Sequence, residues 1–304
     1  PALEISAAEW CYDRGRDDLR YRFTLRNNLP RPLHLSLEAD LLGQRATETV
    51  ALPAQADLSL EYPLSDRSRL SPGRSTLRLH VDGDWQANLQ ATLLLWEPPE
   101  LWQGLAAHCI PLELPYNGRL EDLFRRDYYD PDLPPTALRI MRDGLNAWTG
   151  SWYRLDYINL DHIRERLDKG GLFPSDVGIP FRQVQAGDNG LFAARWQGWP
   201  RQATIPVGQQ GHKLYLLLAG TTLNNQTYIA NGRLVLHYAD GGEQAVDLYN
   251  PDNYDHLLQH FSQNYPQHIG GAKEGYYGVG EASGTHADIL DIALDEGRTL
   301  EYVR

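Results

Sequence analysis

Alternation of apolar and polar residues over short stretches is the feature that most constrains this sequence. In three stretches of the first hundred residues every second position is apolar: Tyr21, Phe23, Leu25, Leu33, Leu35, Leu37, Leu77, Leu79 and Val81. A period of two places such side chains on one face of a β-strand. Turn residues at 27–30, 72–73 and 82–84 separate the stretches. Residues 1–105 are therefore predicted to form an Ig-like β-sandwich.

A proline-rich segment over residues 106–135 follows this domain. It contains one helical pattern, because Leu120, Leu123 and Phe124 share a face in NGRLEDLFRRDYY. The regularity of the pattern predicts a packed linker that holds two domains in a fixed relation.

Residues 136–304 are predicted to form a second all-β domain with long glycine-rich loops. The predicted strands lie near 153–158, 192–196, 213–219, 233–238, 245–248 and 289–294. A turn at Asn231-Gly232 and a reversal at 240–242 bound a predicted hairpin. A further strand begins after residue 297, and we expect it to be cut short at Arg304, which would leave an unpaired sheet edge. The fold class is therefore all-β, with two sandwiches.

Composition and charge exclude several classes of partner. The chain has 304 residues, with 28 basic and 40 acidic side chains and a net charge of −12. No basic patch is visible, so nucleic acid and anionic membranes are not predicted as partners. The apolar runs are far shorter than the roughly 20 residues that span a bilayer. The chain has no initiating Met and no signal-like start, so we expect it to begin inside a longer polypeptide or after processing.

The two cysteines give no clear signal. Cys11 and Cys109 lie far apart in the sequence, and neither belongs to a metal-binding C-x-x-C motif. Whether they form a disulfide stays open.

Several segments carry a resemblance to a known family. The stretches GGLFPSDVGIPFR, GHKLYLLLAGTT and VLHYADGGEQAVDL resemble the galactose-binding-like jelly rolls attached to bacterial carbohydrate-active enzymes. The ordered series YYDPDLPPTALRI, GIPF, ARWQGWP, IPVGQQGHKLYLLLAGTT, IANGRLVLHYADG and LYNPDNY is similar to the C-terminal part of a bacterial family of unknown function. Members of that family couple such sandwiches to a six-hairpin, α/α-toroid glycosidase-like region.

The resemblance implies a jelly-roll fold for residues 136–304 and an extracellular or periplasmic location. It also implies a glycosidase-like domain of the same parent chain as a partner, since the toroid is not in this sequence. One segment departs from the family pattern. It reads WQGWP over residues 196–200, where the family reads more like W-D-N-Y-P, so no family role is transferred to the missing Asp.

Catalytic and metal chemistry have weak candidates. Glycoside hydrolysis needs two carboxylates about 5 Å apart for retention or about 6.5–9.5 Å apart for inversion. No pattern brings two acids together, and Glu274 and Glu281 beside GYYGVG are the forced choice of a catalytic pair. His256 and His260 have the spacing of two zinc ligands on a helix, but no third ligand stands at a suitable distance. No metal or other cofactor is predicted from these residues.

The stretch YNPDNYD over residues 249–255 has three interpretations. Asn250, Pro251 and Asp252 are typical of a structural turn, because Asn and Asp side chains bond to nearby backbone and Pro fixes φ. The same polar residues could hold Ca²⁺, although the spacing does not match an EF-hand. Asn250, Asp252 and Tyr254 could instead form a ligand-facing loop.

Sugar-binding sites combine aromatic rings with polar neighbours on loops. Trp199 lies between Gly198 and Pro200 in a predicted loop, whereas Trp196 continues an apolar strand and is predicted to be core. The carbohydrate-binding candidates are therefore Trp199, Asn250, Asp252 and Tyr254.

These features favour a non-catalytic accessory module that binds a polysaccharide or oligosaccharide within a larger bacterial carbohydrate-active protein. Two alternatives stay open: a free-standing glycoside hydrolase or lyase with its site in the second sandwich, and a purely structural interaction module.

Overall fold

The fold is that of two compact β-sheet units, Pro1–Leu101 and Trp102–Arg304. In the computed structural model, the described residues are 1–96, 99–102, 106–112, 115–120, 165, 167–175, 177–184, 186–194, 199–218, 229–249, 252–254 and 287–304. The predicted all-β class is confirmed, since strands dominate the described residues of both units. The predicted linker helix and the strand predicted near 153–158 lie largely or wholly outside these residues. The predicted domain boundaries stay predictions.

Within the described ranges, no helix is both long enough and apolar enough to cross a bilayer.

The first unit is a sandwich of seven antiparallel strands in two sheets. The strands are β1 (Leu3–Asp13), β2 (Asp18–Asn27), β3 (Leu33–Leu41), β4 (Gln44–Leu52), β5 (Asp57–Pro63), β6 (Gly73–Gly83) and β7 (Ala87–Leu95), and a 3₁₀ helix, η1 (Pro99–Trp102), follows them. The sheets have the orders β1-β2-β5 and β4-β3-β6-β7. This is an Ig-like arrangement in which the fourth strand pairs with the third instead of joining the first sheet.

The apolar face of each sheet in this unit is buried against the other sheet. The core contains the alternating residues that the sequence predicted, Tyr21, Phe23, Leu25, Leu33, Leu35, Leu37, Leu77, Leu79 and Val81, each at most 2% exposed. Along β2 and β3 the intervening side chains are half-buried or exposed. The prediction from a period of two is therefore confirmed.

The segment between β2 and β3 carries the chain from one sheet to the other. Asn27 is completely buried there. Its Nδ2 donates to the carbonyl oxygens of Arg31 and Pro53 at 2.9 Å, and its Oδ1 accepts from the backbone N–H of Leu29 at 2.9 Å. One side chain thus satisfies three backbone groups that no strand partner reaches.

The described part of the second unit contains eight strands. They are β8 (Leu172–Pro174), β9 (Pro180–Arg182), β10 (Ile205–Gln209), β11 (Lys213–Leu218), β12 (Ala230–Tyr238), β13 (Glu243–Tyr249), β14 (Asp288–Ala293) and β15 (Leu300–Val303). They form a four-stranded sheet, β10-β15-β12-β13, and two-stranded sheets β11-β14 and β8-β9. One apolar cluster joins the four-stranded sheet to β11 and β14, which gives this unit its sandwich core.

Two local predictions for the second unit are wrong. Asn231-Gly232 is not a turn, because both residues lie inside β12, where the register with β13 shifts between Ala230 and Gly232. A strand is predicted near 192–196. Its described residues, 192–194, lie outside any strand. The backbone of Phe192 is bonded to the side chain of Asn117 instead of to a neighbouring strand.

The final strand is paired on both sides, so the expectation of an unpaired edge at Arg304 is wrong. β15 lies between β10 and β12 in the sheet. Beyond it, the N–H of Arg304 donates to the carbonyl of Val235 at 2.9 Å, and the N–H of Val235 donates to the carbonyl of Arg304 at 2.8 Å. The strand enters the interior of the sheet because β10 covers its second side.

Removing a core side chain from either unit should lower its stability. Phe23→Ala in the first unit should cost about 3–5 kcal/mol, and Leu236→Ala in the second about 2–5 kcal/mol, through lost burial and a residual cavity. Both side chains are completely buried. Denaturant unfolding of the full chain measures both changes. Thr76→Ala, on the exposed face of β6, serves as the control with a change below about 1 kcal/mol, and an equally small change for either core variant would contradict this packing.

Candidate functional site

Two loops of the second unit are joined by paired Asn-Gly dipeptides. Gly118 and Gly190 form an isolated antiparallel bridge. The N–H of Gly190 donates to the carbonyl of Gly118 at 2.9 Å, and the N–H of Asn117 donates to the carbonyl of Gly190 at 3.1 Å. The bridge fixes residues 117–120 against residues 189–192.

The two asparagine side chains continue this bonding beyond the bridge. Asn117 binds both backbone groups of Phe192: its Nδ2 donates to the carbonyl, and its Oδ1 accepts from the N–H, each at 2.8 Å. Asn189 is 4% exposed, and its Oδ1 accepts from the N–H of Leu120 at 2.8 Å. Phe192 is therefore held in place without a β-ladder.

Trp199 packs on the ring of Phe192. The ring centroids lie 4.5 Å apart and the planes are inclined by 32°. The indole is half-buried, so part of it faces the surface. The N–H of Ala194 donates to the carbonyl of Pro200 at 2.9 Å, which bonds the neighbour of Trp199 to Ala194.

The two glycines of the bridge are required by this ring pair. A Cβ on Gly118 would lie 2.6 Å from Cη2 of Trp199, and a Cβ on Gly190 would lie 2.6 Å from Cε2 of Phe192. Both distances are shorter than a real side chain allows. The backbone of each loop therefore approaches one ring directly, and the resulting aromatic pair, Trp199 with Phe192, is the candidate site.

The sequence identified Trp199 but none of its supports. The sequence pattern does not mark Asn117, Gly118, Asn189, Gly190 or Phe192, although both of these Asn-Gly dipeptides are visible in it. Each dipeptide by itself predicts only a local turn, and nothing in the sequence shows that the two meet.

The predicted ligand loop after β13 contains a structural turn. The Oδ1 of Asn253 accepts from the N–H of Tyr249 at 2.9 Å, and its Nδ2 donates to the carbonyl of Asp247 at 2.8 Å. Residues 252 and 253 thus lie in a turn. Asn250 and Pro251, on which the interpretation of this stretch as a structural turn rests, lie outside the described residues, so that interpretation stays a prediction. Tyr254 is 3% exposed, whereas Asp252 lies at the surface.

Several predicted residues lie outside the described part of the chain: Trp196, Asn250, His256, His260, Glu274 and Glu281. The binding roles of Trp199, Asn250, Asp252 and Tyr254 stay predictions. Among the described residues, no three His, Cys, Asp or Glu side chains are grouped so as to hold a metal ion.

Both cysteines are free and lie in different units. Burial raises the pKa of the Cys11 thiol and of the Cys109 thiol above their usual value. A raised pKa leaves less thiolate at neutral pH, so neither residue has the environment of an activated nucleophile.

Arg298 forms a cluster with Asp240, Asp295 and Tyr238 at the turn of the β12–β13 hairpin, called here the Arg298 cluster. The Nε and Nη2 of Arg298 donate to the two carboxylate oxygens of Asp240 at 2.8 and 2.6 Å, and its Nη1 donates to Asp295. Its guanidinium carbon lies 4.2 Å from the ring centre of Tyr238. The hydrogen bonds from Arg298 lower the pKa of Asp240 to about 2. The cluster joins the hairpin to the turn before β15, which is a structural role.

A second ion pair is buried between β11 and β14. The Nζ of Lys213 lies 3.4 Å from Oδ2 of Asp291, with side-chain exposures of 8% and 2%. Removing one partner of such a pair leaves an uncompensated buried charge, so the pair is required for stability once formed. Neither residue was a predicted site residue.

Comparisons with known proteins leave the family of this chain open. No protein-family model matches the sequence, and no curated protein matches it. The resemblance to a toroid-associated family therefore stays a prediction.

Solved structures that match in part include glycosidases. A GH2 β-galacturonidase from Eisenbergiella tayi matches at 13% identity over 31% of this chain and 18% of its own, with a TM-score of 0.26. An exo-chitosanase from Amycolatopsis orientalis matches at 17% identity over 30% of this chain and 12% of its own, with a TM-score of 0.25. The matched part thus spans less than a fifth of either protein, and such low TM-scores support no functional argument.

The Arg298 cluster should add stability that depends on acid pH. Because the pKa of Asp240 is lowered on folding, from 3.8 to about 2, this contribution is present above pH 4 and is lost as pH falls toward 2. The difference in Tm between the wild type and Arg298→Gln should therefore be largest above pH 4 and shrink below it. Arg78→Gln, an exposed arginine of β6, is the control, and a difference that is constant from pH 7 to pH 2 would contradict this assignment.

Proposed function

We propose that this chain is a non-catalytic carbohydrate-binding unit of a larger bacterial carbohydrate-active protein, with Trp199 as the residue that stacks on the sugar. The observation that carries this proposal is the position of Trp199: a half-exposed indole packed on Phe192 and against Gly118. The partner within the parent protein is a glycosidase-like domain, and the proposed location is extracellular or periplasmic.

The chemistry of an indole suits this role. The axial C–H groups of a pyranose form an apolar patch, and a flat aromatic ring can cover it while the hydroxyl groups stay in water or bind polar side chains. Trp199 is held by packing on Phe192 and by its neighbour Pro200, whose carbonyl accepts from the N–H of Ala194. Ligand binding therefore orders few additional groups, and a preorganised ring loses little conformational entropy.

The charge of the chain argues against two other classes of partner. A net charge of −12 disfavours nucleic acid and anionic membranes. The sequence resemblance to galactose-binding-like jelly rolls supports a carbohydrate. No cofactor is part of this proposal.

Trp199→Ala should weaken glycan binding about 5- to 150-fold, the scale of one lost aromatic contact at a binding hot spot of about 1–3 kcal/mol. Isothermal titration of the full chain with hits from a glycan array measures the change. Gly118→Ala should also weaken binding, because a methyl group there displaces the indole. Trp85→Ala is the matched control, since Trp85 is a tryptophan of the first unit that is 37% exposed.

Three outcomes would contradict the proposal. Equal losses of glycan affinity in Trp85→Ala and Trp199→Ala would show that Trp199 does not form the binding site. Absence of any glycan binding would favour a structural interaction module. Hydrolysis of a polysaccharide panel that is abolished by Glu274→Gln or Glu281→Gln would show a glycosidase or lyase instead.

A further inference from the structure

We propose that the Trp199 site is specific for an anionic sugar, a uronic acid whose carboxylate binds Arg201. This inference rests on the proposed carbohydrate-binding function and adds the chemical class of the ligand. It depends on three observations: the position of Arg201, the absence of a partner for Arg201 among the described residues, and the hydrogen bonds that already occupy the neighbouring asparagines.

Arg201 lies beside the aromatic pair. It follows Trp199 by two residues, so the two Cα atoms are at most about 7 Å apart. Its side chain is exposed. Arginine has a long side chain that ends in a planar guanidinium, so a sugar stacked on the indole lies within its reach.

Arg201 has no hydrogen-bond or ion-pair partner in the part of the chain that the structure describes. Nine other described arginines form ion pairs with a carboxylate: Arg14, Arg16, Arg20, Arg22, Arg26, Arg45, Arg67, Arg233 and Arg298. In a chain with 40 acidic and 28 basic residues, carboxylates are in excess. An arginine that stays without one beside a candidate binding residue is therefore available for a ligand.

The two asparagines of the site are already engaged. Neutral sugars are commonly bound by amide groups that contact hydroxyls, but Asn117 binds Phe192 through both ends of its amide. The Oδ1 of Asn189 accepts from Leu120, and the side chain is 4% exposed. The exposed cation is thus the group left to fix the orientation of a stacked ring.

A carboxylate is the anion that fits this cation. The guanidinium donates two parallel N–H groups that match the two oxygens of a carboxylate. A uronic acid carries its carboxylate at the edge of a pyranose ring whose face can stack on the indole. One bound sugar can therefore contact Trp199 through its face and Arg201 through its edge.

A matched pair of ligands tests the inference on the full chain. The probes are uronic-acid oligosaccharides and the same oligosaccharides with their carboxylates methyl-esterified, which keeps the ring and removes the charge. The acid form should bind at least about tenfold more tightly, the scale of a hydrogen bond to a charged group. Raising the salt concentration from 20 to 200 mM should weaken binding of the acid form alone, with these concentrations roughly bracketing weak and strong screening.

The variants separate charge from stacking. Arg201→Gln should weaken binding of the acid form about 10-fold or more and leave the affinity for the ester unchanged. Arg201→Lys should retain part of the affinity for the acid form, because lysine keeps the positive charge but lacks the two parallel N–H donors of the guanidinium. Arg78→Gln removes an exposed arginine from the first unit and should change neither affinity. Trp199→Ala should weaken both forms.

Several results would overturn the inference. Equal binding of acid and ester, or an unchanged affinity in Arg201→Gln, would show that the site takes neutral glycans, and sensitivity to Trp199→Ala would then still support the proposed function. Binding of sulfated but not uronic-acid oligosaccharides, with dependence on Arg201, would replace the carboxylate by a sulfate ester. Loss of all glycan binding would refute both proposals.

Discussion

The sheets that form the two described cores each have one apolar face, which is removed from water only by packing on another apolar face. Both units are organised by this constraint. In the first unit the two sheets enclose a leucine-rich core together with Tyr21 and Phe23. In the second unit the four-stranded sheet packs on β11 and β14 through residues such as Leu236 and Leu290. Burial of apolar surface is the main favourable contribution to folding, so the strands take the faces that permit it.

Loops between the sheets cannot use a β-ladder, and asparagine side chains replace it in several of the described loops. Asn27 bonds the crossover from β2 to β3, Asn117 bonds Phe192, and Asn253 bonds the turn after β13. An amide side chain carries both donors and an acceptor, so it can satisfy a backbone N–H and a backbone carbonyl together. These irregular segments are thereby bonded to the rest of their unit through side chains.

The candidate site depends on this mode of bonding. Asn117 holds the backbone of Phe192, and Phe192 in turn supports Trp199. Gly118 and Gly190 let the two loops approach the rings closely. The site is therefore built from loops, yet its aromatic group has a fixed position. Arg201, which has no partner among the described residues, follows this ring in the chain and gives the site a charge opposite to that of the chain as a whole.

The sequence by itself determined the all-β class, the buried faces of β2, β3 and β6, and the reversal between β12 and β13. It did so because alternation and turn residues are local properties. Only the tertiary structure decided that β15 lies inside its sheet, that residues 231–232 belong to a strand, and that Phe192 pairs with a side chain instead of a strand. Alternation specifies which face of a strand is buried, but the partner of a strand or loop depends on chain segments far away in the sequence, and no local pattern encodes that choice.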